Sequence, residues 1–253
     1  MIHMSEPRPP VEAIDRALAL LSALAAVGPG GTSLQTLAQR TNTNKSTAYR
    51  ALASLRSRGF ASQDMVTGYY SLGPAALQLS ETYWGPDNLV ALLHPALVAI
   101  STAVNELVHL GVLTSHQVLY LDRVEPERPI RVWSRIGQTV PTMTTALGRA
   151  LLAYRGTTRE QVFAYSDAAP RADRERSWRA IEQARVRGWA TEYNENEPGI
   201  ACVAVPLLRN GSAVAAISVT APAERMEGTR PQEVAAAVVD VLPPLLPRGL
   251  YLP

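Results

Sequence analysis

TSLQTLAQRTNTNKSTAYRALASLRSRG, residues 32–59, reads as two helices joined by a polar turn. In the first, Leu34, Leu37 and Ala38 share one face at i, i+3, i+4 spacing. In the second, Ala48, Ala51, Leu52 and Leu55 repeat at i, i+3, i+4, i+7. Between them stand Thr41, Asn42, Thr43 and Asn44, whose side chains bond to nearby backbone and halt helices. Thr32 and Gln35 have capping-box spacing for the first helix, and Asn44 is placed to cap the second. Away from its apolar stripe, the second helix carries Ser46, Thr47, Tyr49 and Arg50 near its start and Arg56 and Arg58 near its end.

This is the pattern of a helix-turn-helix. Its recognition helix offers N-terminal residues to base edges while flanking cations meet phosphates. Helix pairs with short turns also occur in many proteins that never touch DNA. Charge separates the two cases, because residues 17–62 contain no Asp or Glu and yet hold Arg40, Lys45, Arg50, Arg56 and Arg58. An uncompensated positive segment suits a polyanion. Ser46, Thr47, Tyr49 and Arg50 are the candidate base readers. Arg40, Lys45, Arg56 and Arg58 are the candidate phosphate contacts.

Working outward, residues 11–27 are expected to form an amphipathic helix with Ile14, Ala17, Leu18, Leu21, Leu24 and Ala25 inward, ended by Gly28-Pro29-Gly30-Gly31. Gly59 closes the recognition helix. Residues 60–72 are expected to form a β-hairpin turning at 64–68, a wing beside the recognition helix that holds no Lys or Arg. The domains follow as 1–10 disordered, 11–73 winged helix-turn-helix, 74–88 linker helix and 89–253 a second domain.

In that second domain a helix is expected over 89–105 with Leu92, Leu93, Ala96, Leu97 and Ile100 inward. Strands are expected over 107–113, 117–124, 130–136 and 189–193, and helices over 146–154, 158–165, 173–187 and 231–242. Residues 202–208 and 213–220 form a hairpin around Asn210-Gly211. Such a mixture points to an α+β domain with one antiparallel sheet.

Charge is unevenly placed. Residues 1–72 hold seven basic and four acidic side chains, although the whole 253-residue chain carries only +2, so a basic head precedes a near-neutral body. Lys45 is the only lysine. The single cysteine, Cys202, excludes an intramolecular disulfide and a multi-cysteine zinc site. MIHMSEPRPP at the start has no apolar signal core, and no run approaches the roughly 20 apolar residues of a membrane helix. A soluble, cytoplasmic protein without metal or cofactor is expected.

Two groups of segments carry a resemblance. AIDRALALLSAL, LQTLAQRTNTNKSTAYRALASLRSRGF and TGYYSLG resemble the DNA-binding head of IclR-type transcription regulators. VPTMTTALGRALLA, ENEPGIACVAVPLL and AAISVTAP resemble their effector-binding domain, in the same order and spacing. The resemblance implies a winged helix-turn-helix, a linker helix and a GAF-like effector domain. It also implies dimers or dimers of dimers on palindromic operators, controlled by a small metabolite, often a carboxylate.

By the same resemblance, Met143, Ala146, Leu147, Gly148, Glu192, Ile200, Cys202, Ser218 and Thr220 line the effector pocket. A helix start at 146–148 would turn unpartnered N–H groups and a positive dipole end toward a carboxylate. Ser218 and Thr220, two apart, share a strand face. The chain departs from the family pattern at Arg149, where Lys is common, at Glu192, where Asp is frequent, and at Met143, where His is frequent. Arg149 is expected outside the pocket. The other two changes favour a ligand with an apolar or aromatic part.

Two other classes compete. Cys202 with His109 or His116 could in principle supply a nucleophile and base, but IACVAV around Cys202 suits a buried, inert thiol. No G-x-S-x-G, H-E-x-x-H, Walker or G-x-G-x-x-G motif accompanies it. A protein-interaction module is the other competitor, and the acid-free basic head argues against it.

Overall fold

The computed structural model describes residues 10–76, 78–79, 88–128, 132–164 and 171–253, with no side-chain detail at 171 and 172. The chain forms two compact units, residues 1–88 and 89–253. The expected disorder of residues 1–9 and most of the expected linker helix lie outside the described residues; 74–76 and 78–79 are helical.

In the first unit, α1 (Glu12–Val27), α2 (Leu34–Arg40) and α3 (Lys45–Ser57) are followed by the wing strands β1 (Ala61–Gln63) and β2 (Tyr70–Leu72). Leu20, Leu24, Leu37, Ala48 and Leu52 are fully buried and pack with Ala38, Ala61 and Tyr70. Each buried leucine contributes roughly 1.5–3 kcal/mol. Asn44 caps α3, its Oδ1 accepting from Thr47 N–H at 2.9 Å. The cap of α2 is Ser33, whose Oγ accepts from Thr36 N–H at 3.1 Å, in place of the expected Thr32. Thr32 is committed elsewhere: its backbone pairs with Tyr70 at 2.9 and 2.8 Å and joins the helices to the wing. The inward face of α1 also differs from expectation. Leu20 and Leu24 are its buried residues, while Ile14 and Leu18 are exposed. ALALLSALAAV is apolar around most of the helix, so periodicity leaves its phase open.

The second unit holds one antiparallel six-stranded sheet in the order β5-β4-β3-β8-β7-β6. Its strands are β3 (Leu107–Thr114), β4 (Gln117–Val124), β5 (Thr139–Pro141), β6 (Ala190–Tyr193), β7 (Ile200–Arg209) and β8 (Ser212–Pro222). The helices are α4 (Leu89–Val104), α5 (Ala146–Ala153), α6 (Arg159–Ala164), α7 (Arg171–Arg187) and α8 (Arg230–Val241). Asn210 and Gly211 both take positive φ, 52° and 81°, the geometry of a two-residue hairpin turn between long strands. Helix α5, with α7 outside it, covers one sheet face, and α4 and α8 pack on each other and on β3, β4 and β7.

Two expectations fail here. Residues 132–136 are not a strand, and β4 pairs instead with the short segment Thr139–Pro141. Leu92 is 41% exposed, whereas Leu93, Ala96, Leu97 and Ile100 are buried as expected. Among the described residues no helix is long and apolar enough to cross a membrane.

Candidate functional sites

In the first unit, the turn at 41–44 and the Asn44 cap present the first turn of α3 to solvent. Lys45, Ser46, Tyr49 and Arg50 are exposed, and Thr47 is half-buried. Ser46 Oγ donates to the capping Asn44 Oδ1 at 2.9 Å, so the cap also orients a candidate base reader. Arg40 and Arg58 are exposed. Arg56 is exposed but tied to the wing, donating to Gln63 Oε1 at 2.6 Å, while Gln63 Nε2 donates to Gly68 O at 3.1 Å. The surface of α3 is therefore cationic at both ends, with a neutral polar edge at its start.

In the second unit, strand register assembles a polar patch on the sheet face under α5. Glu192, Cys202, Thr220 and Leu107 stand in one row across β6, β7, β8 and β3. Ala190, Ala204, Ser218 and His109 form the adjacent row. Ile200 has the same strand parity as Cys202 and so shares this face. Met143, Ala146 and Leu147 are buried in the cluster that also holds Ala190, Ala204 and, half-buried, Cys202.

A hydrogen-bonded chain runs through this patch. Cys202 Sγ lies 3.3 Å from Thr220 Oγ1, which lies 3.4 Å from His109 Nδ1. His109 Nε2 is 2.7 Å from Ser134 Oγ, and the imidazole stacks on Tyr120 with ring centres 4.4 Å apart. Arg123 donates to the Ser134 carbonyl. Burial, with the Arg123 charge adding to it, drives the His109 pKa down to about 3, so the imidazole is neutral. The Cys202 thiol is pushed far up, first by burial and then by neighbouring Glu192. That is the opposite of nucleophile activation.

Glu192 is 3% exposed. Its Oε1 accepts from Glu195 N–H at 2.8 Å and Asn196 N–H at 3.2 Å. Burial still raises its pKa, against the opposing pull of those amides, Cys202 and Arg149. The acid therefore both shapes the loop after β6 and faces the Cys202–Thr220 pair. A cavity of about 200 Å³ beside β6 and β7 touches Glu192 and Cys202 but is lined mainly from the α8 side, by Thr191, Tyr193, Ala201, Val203, Met226 and Pro231.

The start of α5 is built around Gly148. A Cβ there would lie 2.0 Å from the Thr142 carbonyl oxygen, so only glycine permits this approach. Its N–H is already taken by the capping Thr145 Oγ1 at 3.2 Å. Ala146 and Leu147 are the positions whose amides lack intrahelical acceptors. Arg149 is not peripheral: it is 2% exposed and donates to Met143 O at 2.9 Å, Thr191 O at 2.8 Å and both oxygens of Glu195.

The sequence offered His109 only as a possible base for Cys202, and it gave no sign of Tyr120, Ser134 or this role of Arg149. LVHLGVL marks His109 as a strand residue, but only the pairing of β3 with β8 puts it beside Ser218.

Residues 13–65 match the model of the IclR helix-turn-helix domain, and residues 82–241 match that of the bacterial transcriptional regulator IclR C-terminal domain. The chain is 30% identical to the HTH-type transcriptional regulator BhcR of Paracoccus denitrificans, over 91% of this chain and 84% of that protein. It is 32% identical to the glycerol operon regulatory protein of Streptomyces coelicolor, over 91% and 93%. The crystal structure of the Thermotoga maritima IclR superposes with a TM-score of 0.70 at 26% identity, covering 92% of this chain and 97% of that one.

Proposed function

The chain belongs to the IclR family of bacterial transcriptional regulators, and from that premise we propose that it is a homo-oligomer binding a palindromic operator under the control of a small organic acid. Its relatives are regulators and not enzymes, in keeping with a thiol that burial holds protonated. Ser46, Thr47, Tyr49 and Arg50 read bases in the major groove. Arg40, Lys45, Arg56 and Arg58 neutralise phosphates. The observation that carries this part is the exposed start of α3 in a segment without any acidic residue from 17 to 62.

The effector binds between the start of α5 and the sheet, among Met143, Ala146, Leu147, Gly148, Glu192, Ile200, Cys202, Ser218 and Thr220. The support is chemical. Hydroxyl donors at Ser218 and Thr220 and the neutral imidazole of His109 lie on one buried face, beneath the positive end of a helix dipole. Met143, Leu147 and the Tyr120–His109 stack supply apolar and flat surface, which suits an acid with an apolar or aromatic part. Ligand binding shifts DNA affinity by favouring one quaternary arrangement over another.

Fluorescence anisotropy with DNA from upstream of its own and neighbouring genes tests the proposal, with salt and nonspecific competitor titrated and aliphatic and aromatic carboxylates then added. Competitor-resistant binding that one acid alters is the expected result. Indifference to all of that DNA, with and without acids, would overturn it.

A further inference from the structure

The wing carries no Lys or Arg, so charge cannot hold it on DNA. Its tip is instead apolar. Val66 is 94% and Met65 92% exposed, and no large apolar side chain among the described residues is more exposed.

The turn that displays them is firmly built. Asp64 Oδ1 accepts from Val66 N–H at 2.9 Å, Thr67 N–H at 2.6 Å and Thr67 Oγ1–H at 2.9 Å. These bonds hold its pKa below the usual carboxylate value. The carboxylate thus stays ionised and solvent-exposed beside the tip while its oxygen orders the turn. At the wing's base, Tyr70 is buried in the core of this unit. Gln63 links Gly68 to Arg56 on α3. The apolar tip is therefore a fixed extension of the DNA-reading surface.

We infer that Met65 and Val66 enter the minor groove flanking the sequence read by α3 and contact its floor as an apolar wedge. The inference rests on the DNA-binding reading of α3 and adds a contact that this reading lacks. Minor-groove proteins use such side chains to pry base steps and bend the duplex. The groove's A·T floor is smooth, whereas G·C places an exocyclic amino group there. Recognition by the wedge thus favours A·T-rich, deformable flanks, without any base-specific hydrogen bond and without phosphate contacts.

The test uses the duplex that the full-length protein enriches from a random-sequence pool, remade with A·T, inosine·C or G·C flanks. Inosine·C resembles G·C in the major groove but lacks the minor-groove amino group. The unsubstituted protein is expected to bind A·T and inosine·C flanks alike and G·C flanks about tenfold more weakly. The double variant Met65→Ser/Val66→Ser should lose that discrimination and show less bending by end-to-end energy transfer, with the salt dependence of binding unchanged. Met65→Leu should retain it.

Tight binding by the unsubstituted protein with no flank preference would overturn the wedge and leave the α3 reading standing. So would full discrimination by the double variant. Failure to enrich any duplex would remove both.

Discussion

Arg149 and Glu195 meet as a two-bonded pair, Nη1 to Oε1 at 2.8 Å and Nη2 to Oε2 at 2.6 Å. The same guanidinium holds the carbonyls of Met143 and Thr191. One side chain thus fixes α5 against the loop after β6, the two elements that flank the proposed ligand face.

Removing this guanidinium leaves a partly buried carboxylate and two unpaired carbonyls. Arg149→Met is expected to destabilise the protein by roughly 3 kcal/mol, read by urea unfolding, with Arg149→Lys in between. Burial opposes ionisation of Glu195, but its bonds to Arg149 and the charges of Arg149 and Arg176 outweigh it and lower the pKa. A depressed carboxylate contributes stability above its unfolded pKa, near 4.5, and loses it as pH falls through the folded value. Acid unfolding should therefore begin at higher pH when either partner is replaced. An unchanged acid transition in Glu195→Gln would contradict this.

His109 gives a second pH dependence. Its pKa of 6.5 in the unfolded chain falls to about 3 in the fold, so below 6.5 the unfolded state alone takes up the proton. Stability should decline with falling pH across that window by up to about 1.4 kcal/mol per pH unit. His109→Gln keeps hydrogen-bonding capacity without the titration. Its stability between pH 6.5 and 4.5 should fall less steeply, by chemical denaturation at each pH. Parallel slopes would count against a buried neutral imidazole.

Glu192 tests the sign of the ligand. Its raised pKa means that ionisation is disfavoured in the fold, so stability falls as pH rises from the unfolded value through the folded one. Glu192→Gln keeps an acceptor for the Glu195 and Asn196 amides and removes the charge. It should not lower the thermal midpoint at neutral pH. It should tighten a carboxylate effector by about tenfold, because a like charge is gone. Weaker binding of every acid by this variant would indicate that Glu192 itself receives the ligand.

Arg50 tests the recognition helix. If its guanidinium bonds a guanine edge, Arg50→Ala costs about 1–3 kcal/mol on the preferred duplex and relaxes preference at one base position. Competition with single-position variants of the duplex measures this. Uniform weakening across all of them would assign Arg50 to phosphate.

The helix-turn-helix was legible because its signals are local: apolar spacing, the Asn44 cap and the polar turn lie within a few residues of one another. The local signals that misled were those with near-equal neighbours. Ser33 caps α2 one residue from Thr32, and the nearly all-apolar α1 buries Leu20 instead of Ile14. In the second unit the hairpin around Asn210-Gly211 was legible, as was the shared face of Ser218 and Thr220. Strand β5 was not, since a three-residue edge strand is defined by its partner β4. Nor was the His109–Ser134 contact, which spans 25 residues and depends on the sheet register. The bonds that Arg149 makes were not legible either, because nothing in its neighbourhood shows that Glu195, 46 residues away, will meet it.

An acid bound on the α5 face is proposed to change DNA affinity. Thermodynamic linkage makes this reciprocal: DNA must change the affinity for the acid by the same factor. The most direct measurement is calorimetric titration of the active acid into the protein with and without saturating operator DNA. Unequal affinities are expected, their ratio equal to the ratio of DNA affinities measured with and without the acid, typically about 5–150-fold. Equal affinity for the acid in both titrations would contradict it.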